Sequence, residues 1–301
     1  MIDRRAFLRL PASVALAGAV YSVVLEPNFF LDVTRYRVTP KDWPADLTLR
    51  IAVLTDLHAC EPWMPASRIR KIAEAANALS PDLVALLGDY SAGTHLVTGP
   101  VRPDQWAEAL SVLKAPLGVH AVLGNHDWWH GPLPSDEGDG AEGARRALRR
   151  MGARVYENDA LRLEKNGQPF WLLGLGDQLA EFFEGRGGWT GRDDLDATLA
   201  QVSDDAPAIL LAHEPFIFDR VPRRVALTLS GHTHGGQINL PLLGPVVAEL
   251  RHWRPDMVYG HYAADDRHLV ISGGLGESIL PVRFMRPPEI VEVTVTSAAT
   301  A

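Results

Sequence analysis

The sequence predicts an α/β fold in one domain after the first 30 residues, and three features carry the prediction. Short apolar runs rich in Val, Ile and Leu alternate with stretches of helical period, as strands joined by helical crossovers in a parallel sheet do. Nearly every apolar run ends in a polar tip, where the C-terminal edge of such a sheet collects its ligand-binding residues. No linker, composition break or repeat of fixed period divides the chain after its first 30 residues. The domain is expected to cover 31–301.

The elements follow in order. "LRIAVLTD" (49–56) reads as a buried strand. "ASRIRKIAEAANALS" (66–80) places Ile69, Ile72, Ala73, Ala76 and Leu79 on one helical face, and Pro81 stops it. "DLVALLGD" (82–89) is a second strand, "PDQWAEALSVLKA" (103–115) a helix and "GVHAVLGNHD" (118–127) a third strand. The glycine-rich 131–143 reads as a loop. The helix over 144–152 carries four arginines, expected to form a solvated face rather than an anion site. Strands are predicted at 170–177, 207–215, 224–232, 268–274 and 289–295, whereas 235–268 shows no period.

The chain has 301 residues, 47% of them hydrophobic and 22% charged, enough for a large core. A net charge of −8 argues against nucleic acid as a partner. A single cysteine, Cys60, excludes an internal disulfide and a thiolate metal cage. A monomer is expected. Residues 1–30 stand apart: Arg4, Arg5 and Arg9 precede an apolar run from Leu10 to Leu25. A basic head before an apolar run is the layout of an export signal, and Arg4–Arg5 followed by Phe7–Leu8 resembles the twin-arginine type. Sixteen apolar positions fall short of the ~20 that span a bilayer. A cleaved signal and a membrane anchor through 1–25 both remain open. Without residues 1–25, which hold three arginines and Asp3, the net charge is near −10. The expected location is the periplasm or the outer face of the inner membrane; the alternative is the cytoplasmic face.

The polar tips share one chemistry. The first strand ends in Asp56 and His58, the second in Asp89, the third in Asn125, His126 and Asp127. Two later strands end in His213 and in His232 and His234. Taken singly, each has an ordinary explanation as a cap, a turn residue or a buried histidine. Together, at one edge, they form a carboxylate–imidazole set without thiolate, which suits Mn, Fe or Zn. The candidates exceed one coordination shell, so two metal ions are expected, able to polarise a phosphoryl group and generate a hydroxide nucleophile. His130 and His261 are weaker candidates, and His95, His120, His252 and His268 are expected to be structural.

The ordered string "DLH … GDY … GNHD … H … GHTH" across 56–234 resembles the calcineurin-like metallophosphoesterases. With "SGHTHGGQINLPLLGP", "GGLGESILPVRF" and the twin-arginine-like start, it looks like their bacterial exported or membrane-associated phosphodiesterase branch. The resemblance implies an α-β-β-α sandwich of two sheets flanked by helices, refining the single parallel sheet read from periodicity. It implies that Asp56, His58, Asp89 and His234 bind one metal. Asp89 would bridge to a second held also by Asn125, His213 and His232. His126 would be the catalytic imidazole that contacts the phosphate and protonates the leaving oxygen. Many family members carry an aspartate three residues after the bridging one to orient that histidine; here the place is Ala92, and Asp127 is a possible stand-in.

The expected activity is hydrolysis of an envelope- or lipid-derived phosphodiester. The alternatives are a UDP-acylsugar pyrophosphatase, a phosphomonoesterase or protein phosphatase, and a non-catalytic metal-binding protein. Arg251, Arg254 and Arg283 are candidates to hold a monoester dianion, and Trp128–Trp129 a candidate contact with lipid.

Overall fold

The computed structural model describes residues 13, 16–94, 96–129, 140–183, 188–246 and 254–298. Its two main sheets use twelve strands. They are β1 (Asp32–Val38), β2 (Leu49–Leu54), β3 (Leu83–Leu86), β4 (Val119–Ala121), β5 (Arg154–Val155) and β6 (Asp159–Lys165), followed by β7 (Gln168–Gly174), β8 (Ala208–Leu211), β9 (Val225–Ser230), β10 (Gly260–Ala264), β11 (Arg267–Ile271) and β12 (Glu289–Val295). Helices are α1, through residues 16–29 with a π-wound turn at Tyr21–Leu25, α2 (Ala66–Ala78), α3 (Pro103–Leu110), α4 (Gly140–Arg150) and α5 (Leu195–Ala200).

One six-stranded sheet runs β1-β12-β2-β3-β4-β5 and the other β10-β11-β9-β8-β7-β6. Four neighbouring strands in each are parallel: β2 to β5, and β7, β8, β9 and β11. Antiparallel pairing enters at β12–β2, β6–β7 and β10–β11. The single parallel sheet inferred from periodicity is therefore corrected to two mixed sheets, as the family resemblance implies. An apolar run reveals that a strand is buried, but not which sheet it joins.

The strands' side chains alternate between faces, and this sorts the core into layers. Ile51, Val53, Leu83 and Ala85 face the second sheet and meet Leu172, Ile209, Leu211 and Leu229. Ala52, Leu54, Val84 and Leu86 face outward, against Ile69, Trp106 and Leu148 of the helices. Behind the second sheet, Leu173, Leu210 and Val225 pack on Leu195 and Ile217. The architecture is α-β-β-α. The edge strands β1, β6 and β10 lack any apolar run because residues along them reach solvent. That is why periodicity misses them.

The strands are shorter than predicted, stopping before their polar tips. β2 ends two residues before Asp56, β3 three before Asp89, and β8 two before His213. Asn125 and His126 lie not on a strand but on a helical turn, Asn125–Trp128. α4 begins at Gly140, inside the expected loop. The N-terminal helix α1 docks through polar contacts: the Arg283 amide donates to Ser22 O at 2.9 Å, and the Met285 and Arg286 amides donate to the Glu26 carboxylate. Among the described residues no helix is long and apolar enough to cross a membrane. The arginine pair, His95, His130, Arg251 and His252 lie outside the described residues.

Candidate dimetal centre

Two loops leaving the first sheet are laced together. Asp56 N donates to Gly88 O at 3.0 Å, His58 N to Asp89 O at 3.0 Å and Ala59 N to Tyr90 O at 2.9 Å. Asp56, His58, Asp89, His232 and His234 all take positive φ, between 47° and 68°. Non-glycine residues rarely adopt this conformation, and it gathers at functional sites. Gly124 closes the approach from β4. A Cβ there would strike Asp89 Oδ1, the Asp89 amide and His213 Cε1. Only glycine lets the Asn125 turn sit this close.

Asp127 anchors the arrangement. Its Oδ2 accepts from the amides of Asp89 (2.9 Å) and Gly124 (3.0 Å), and its Oδ1 from those of Tyr90 and Ser91 (3.0 Å each). This corrects the expectation that Asp127 replaces the missing orienting carboxylate. Both its oxygens are committed to main chain, so it shapes the Asp89 loop.

The side chains converge in two groups, Asp56, His58, Asp89 and His234, and Asp89, His213 and His232; in each, the donor atoms lie within 4.8 Å of one another. Asn125 joins the second through Oδ1, 2.9 Å from His232 Nδ1. Asp89 belongs to both, its Oδ2 lying 3.5 Å from His58 Nε2 and 3.3 Å from His213 Nε2. All seven residues expected to bind metal are thus brought together. The set draws on both sheets, the carboxylates, His58 and Asn125 from the first and the other histidines from the second.

The donor set fits cations. His58 Nδ1 lies 2.9 Å from Ser91 O, His234 Nδ1 3.2 Å from Gly276 O and His213 Nδ1 2.7 Å from Leu87 O. A carbonyl only accepts, so each Nδ1 carries a proton, and at His58 and His234 this leaves Nε2 a lone pair facing inward. Burial holds His58 down to about 3 and His234 well below the usual imidazole range, so both rings stay neutral. Their Nε2 lone pairs nevertheless face each other at 3.0 Å. Buried His213 Nε2 has no hydrogen-bond partner. Burial drives Asp56 up to about 7, outweighing the attraction of His213, the penalty of a carboxylate taken out of water. For Asp89 and His213 burial acts against charge but mutual attraction prevails, pushing the carboxyl down and the imidazole up. A cation in each group would answer these demands.

His126 and His232 are the partly exposed members, and they mark the mouth. The His126 amide donates to Asp89 Oδ1 at 2.8 Å, its ring meets His58 edge-on at 4.9 Å, and its Nε2 lies 3.5 Å from Ser278 Oγ. Trp129 packs on its other side at 4.7 Å and is stacked in turn on Trp189 at 4.2 Å.

Several residues here were not anticipated. Ser278 and the Gly276 carbonyl come from the 273–286 loop, flagged in sequence only as part of "GGLGESILPVRF". Arg283, a candidate phosphate holder, is fully buried behind His234, donating to Gly273 O at 3.0 Å, to Gly276 O and to Arg286 O. It fixes the loop instead. Arg254 pairs with Asp219 and Asp256. Arg145 of α4 is bound by Glu142 and Glu157. Trp128 is buried, with Arg192 4.6 Å over its ring, so the lipid contact considered for Trp128–Trp129 does not hold for Trp128. Next to His213, the buried carboxyls of Glu214 and Asp177 lie close together, and burial followed by the Glu214 charge raises the Asp177 carboxyl. His120 is structural as expected, bonded to Tyr156 and Leu117 O at 2.8 Å each. His261 sits on an outer strand 2.9 Å from His268.

The calcineurin-like phosphoesterase pattern matches residues 49–236. The chain is 29% identical to the uncharacterized metallophosphoesterase YkuE of Bacillus subtilis, over 98% of each protein. It is 29% identical to the phosphodiesterase YaeI of Escherichia coli, over 96% of this chain and 98% of that protein. It is 28% identical to the UDP-2,3-diacylglucosamine pyrophosphatase LpxG of Chlamydia trachomatis, over 90% of this chain and 91% of that protein.

Proposed function

The chain belongs to the calcineurin-like phosphoesterases and is a hydrolase acting on phosphoesters, and from that premise we propose a dimetal phosphodiesterase whose substrate is an envelope- or lipid-derived phosphodiester. In this reading Asp56, His58, Asp89 and His234 hold one cation, and Asp89, Asn125, His213 and His232 the other. Mn, Fe and Zn all suit the donors. The observation that carries it is the position of Asp89 Oδ2 between His58 Nε2 and His213 Nε2. When bound, two such ions polarise a phosphoryl group and acidify water.

The chain's own residues do the rest. The His126 amide, bonded to Asp89 Oδ1, ties that imidazole to the carboxylate both groups share. Its Nε2 stands at the partly exposed mouth, where it donates a proton to the leaving oxygen; Ser278 Oγ is the neighbour that steadies the ring. A diester is favoured over a monoester because a dianion needs added cationic groups. Of the three candidate arginines, Arg254 and Arg283 are committed elsewhere.

A turnover panel on Mn-, Fe- and Zn-loaded enzyme tests this. A bis-aryl phosphodiester should exceed the aryl monoester in kcat/KM by about tenfold or more, roughly 1.4 kcal/mol. Preference for the monoester would overturn it. Similarity to LpxG supports a second reading, cleavage of a nucleotide-linked lipid pyrophosphate. Fastest turnover of UDP-2,3-diacylglucosamine would establish that one.

We further propose export, supported by Arg4–Arg5 ahead of the apolar run. The twin-arginine route carries folded protein, which suits a domain that loads metals before leaving the cytoplasm. Fractionation should find wild type outside the cytoplasm and the Arg4→Lys/Arg5→Lys variant within. Cytoplasmic retention of both would reject export.

A further inference from the structure

We infer that an apolar apron beside the mouth of the site seats this protein on an anionic lipid bilayer, so that the phosphoester is drawn from the membrane surface. The substrate part of this inference rests on the phosphodiesterase reading; the docking itself does not.

The first observation is where exposed apolar side chains fall. Among the described residues, every large one except Trp189 lies on α1 and its exit or on three loops beside the site. Soluble surfaces scatter such residues singly, and a continuous patch marks an interaction site. On α1, Leu16, Val20 and Val24 recur every four residues and are exposed, joined by Leu25 and Phe29. The only charged residue from Leu10 to Leu31 is Glu26, and it is buried against the domain. A water-facing helix shows the reverse, with apolar residues inward. Here the helix docks by polar contacts and turns its apolar side out.

The second observation is continuity from α1 to the site. Beyond its bonds to Arg283, Met285 and Arg286, α1 packs Tyr21 on Phe284 at 6.0 Å. Phe284 bonds both ways to the next loop, through Gln237 O and the Asn239 amide at 2.9 Å each. That loop exposes Leu242 and Leu243, the first completely. The 278–286 loop exposes Ile279, Leu280 and Met285, and Ile279 pairs with Thr94, two residues from exposed Leu96. Ile279 directly follows Ser278, whose Oγ faces His126 Nε2. The apron thus begins one residue from the side chain beside the proposed acid.

The third observation is charge. The chain without residues 1–25 is strongly acidic and would be repelled by an anionic surface. Arg4, Arg5 and Arg9 stand directly before the apolar run that α1 continues. In the full chain, before export or removal of residues 1–25, this basic stretch and the apolar run that follows it in sequence suit the interface of an anionic leaflet.

The test is flotation of the metal-loaded full chain with vesicles of phosphatidylglycerol and phosphatidylcholine in equal parts, beside vesicles of phosphatidylcholine alone. Wild type should float with the anionic vesicles. Leu242→Glu/Leu243→Glu and Val20→Glu/Val24→Glu should each lower the bound fraction about tenfold, with metal content and melting temperature retained. These positions are exposed, so folding survives the change; Leu242→Ser, with a smaller loss, is the milder check. Failure of wild type to float, or wild-type flotation of the Leu242→Glu/Leu243→Glu variant, overturns the apron. So does light scattering that shows a dimer which this variant dissociates, because a second copy would then cover the face. A protein that floats as expected but cleaves no phosphodiester overturns only the catalytic reading.

Discussion

The imidazoles of His58 and His234 are stacked at 13° with their Nε2 atoms 3.0 Å apart, each ring having committed its Nδ1 to a carbonyl. Neutral rings held this way repel unless a cation lies between their lone pairs. Chelation is therefore expected to destabilise the fold. At a metal concentration a hundredfold above Kd the lost linkage is about 2.7 kcal/mol, or roughly 4–5 °C in Tm for a chain of this length. Calorimetry with and without chelator reads it, and reloading should restore the transition. An unchanged Tm would show that the histidines tolerate each other without metal.

Asp89→Asn should reduce both metal content and turnover, because Asp89 is the one side chain present in both groups. Elemental analysis is expected to find two ions per chain in wild type and fewer than one in the variant. One ion in fully active wild type would refute the dimetal reading.

His126→Ala should keep its metal and lose roughly 10²–10⁴-fold in turnover. The loss should shrink for acidic leaving groups such as nitrophenol, which depart without a proton. Equal losses across a leaving-group series would remove His126 from the role of acid.

Asp127→Asn should act on stability before chemistry. An amide offers one acceptor oxygen where four main-chain N–H groups now converge, and leaving buried donors unmet costs about 1–3 kcal/mol each. With two of the four donors left unmet, urea titration should show a loss of about 2–6 kcal/mol. A variant of wild-type stability with an altered leaving-group profile would instead make Asp127 the orienting carboxylate of His126.

Burial lowers the His120 imidazole below its usual range, away from the metal groups. Below about pH 6.5 the unfolded chain then binds a proton that the folded chain refuses, so this contribution is present above that pH and lost as pH falls. The slope is at most about 1.4 kcal/mol per pH unit. The stability advantage of wild type over His120→Gln should shrink between pH 7 and pH 5. An advantage that grows with acidity would mean that His120 is protonated in the fold.

What the sequence determined by itself was the set of donors and their order. Asp56, His58, Asp89, Asn125, His213, His232 and His234 each follow an apolar run closely, and a buried strand with the side-chain chemistry at its end is a local property of the chain. The two-layer sheet arrangement entered through resemblance, since periodicity reports burial and not pairing. Tertiary structure decided everything that depends on residues distant in sequence. His58 and His234 are 176 positions apart, yet their facing lone pairs define one half of the centre. Asp127 looked like a catalytic spare until four amides from two loops were found on it, and Arg283 looked like a phosphate holder until it was found buried behind Gly276. Of the apolar apron only the run through Leu25 shows in the sequence, and Ser278 only as part of a longer string, because exposure and hydrogen bonding follow from which loops the two sheets bring side by side. Chemistry was written in residue types; partnership was settled only when non-local packing gave each group its neighbours.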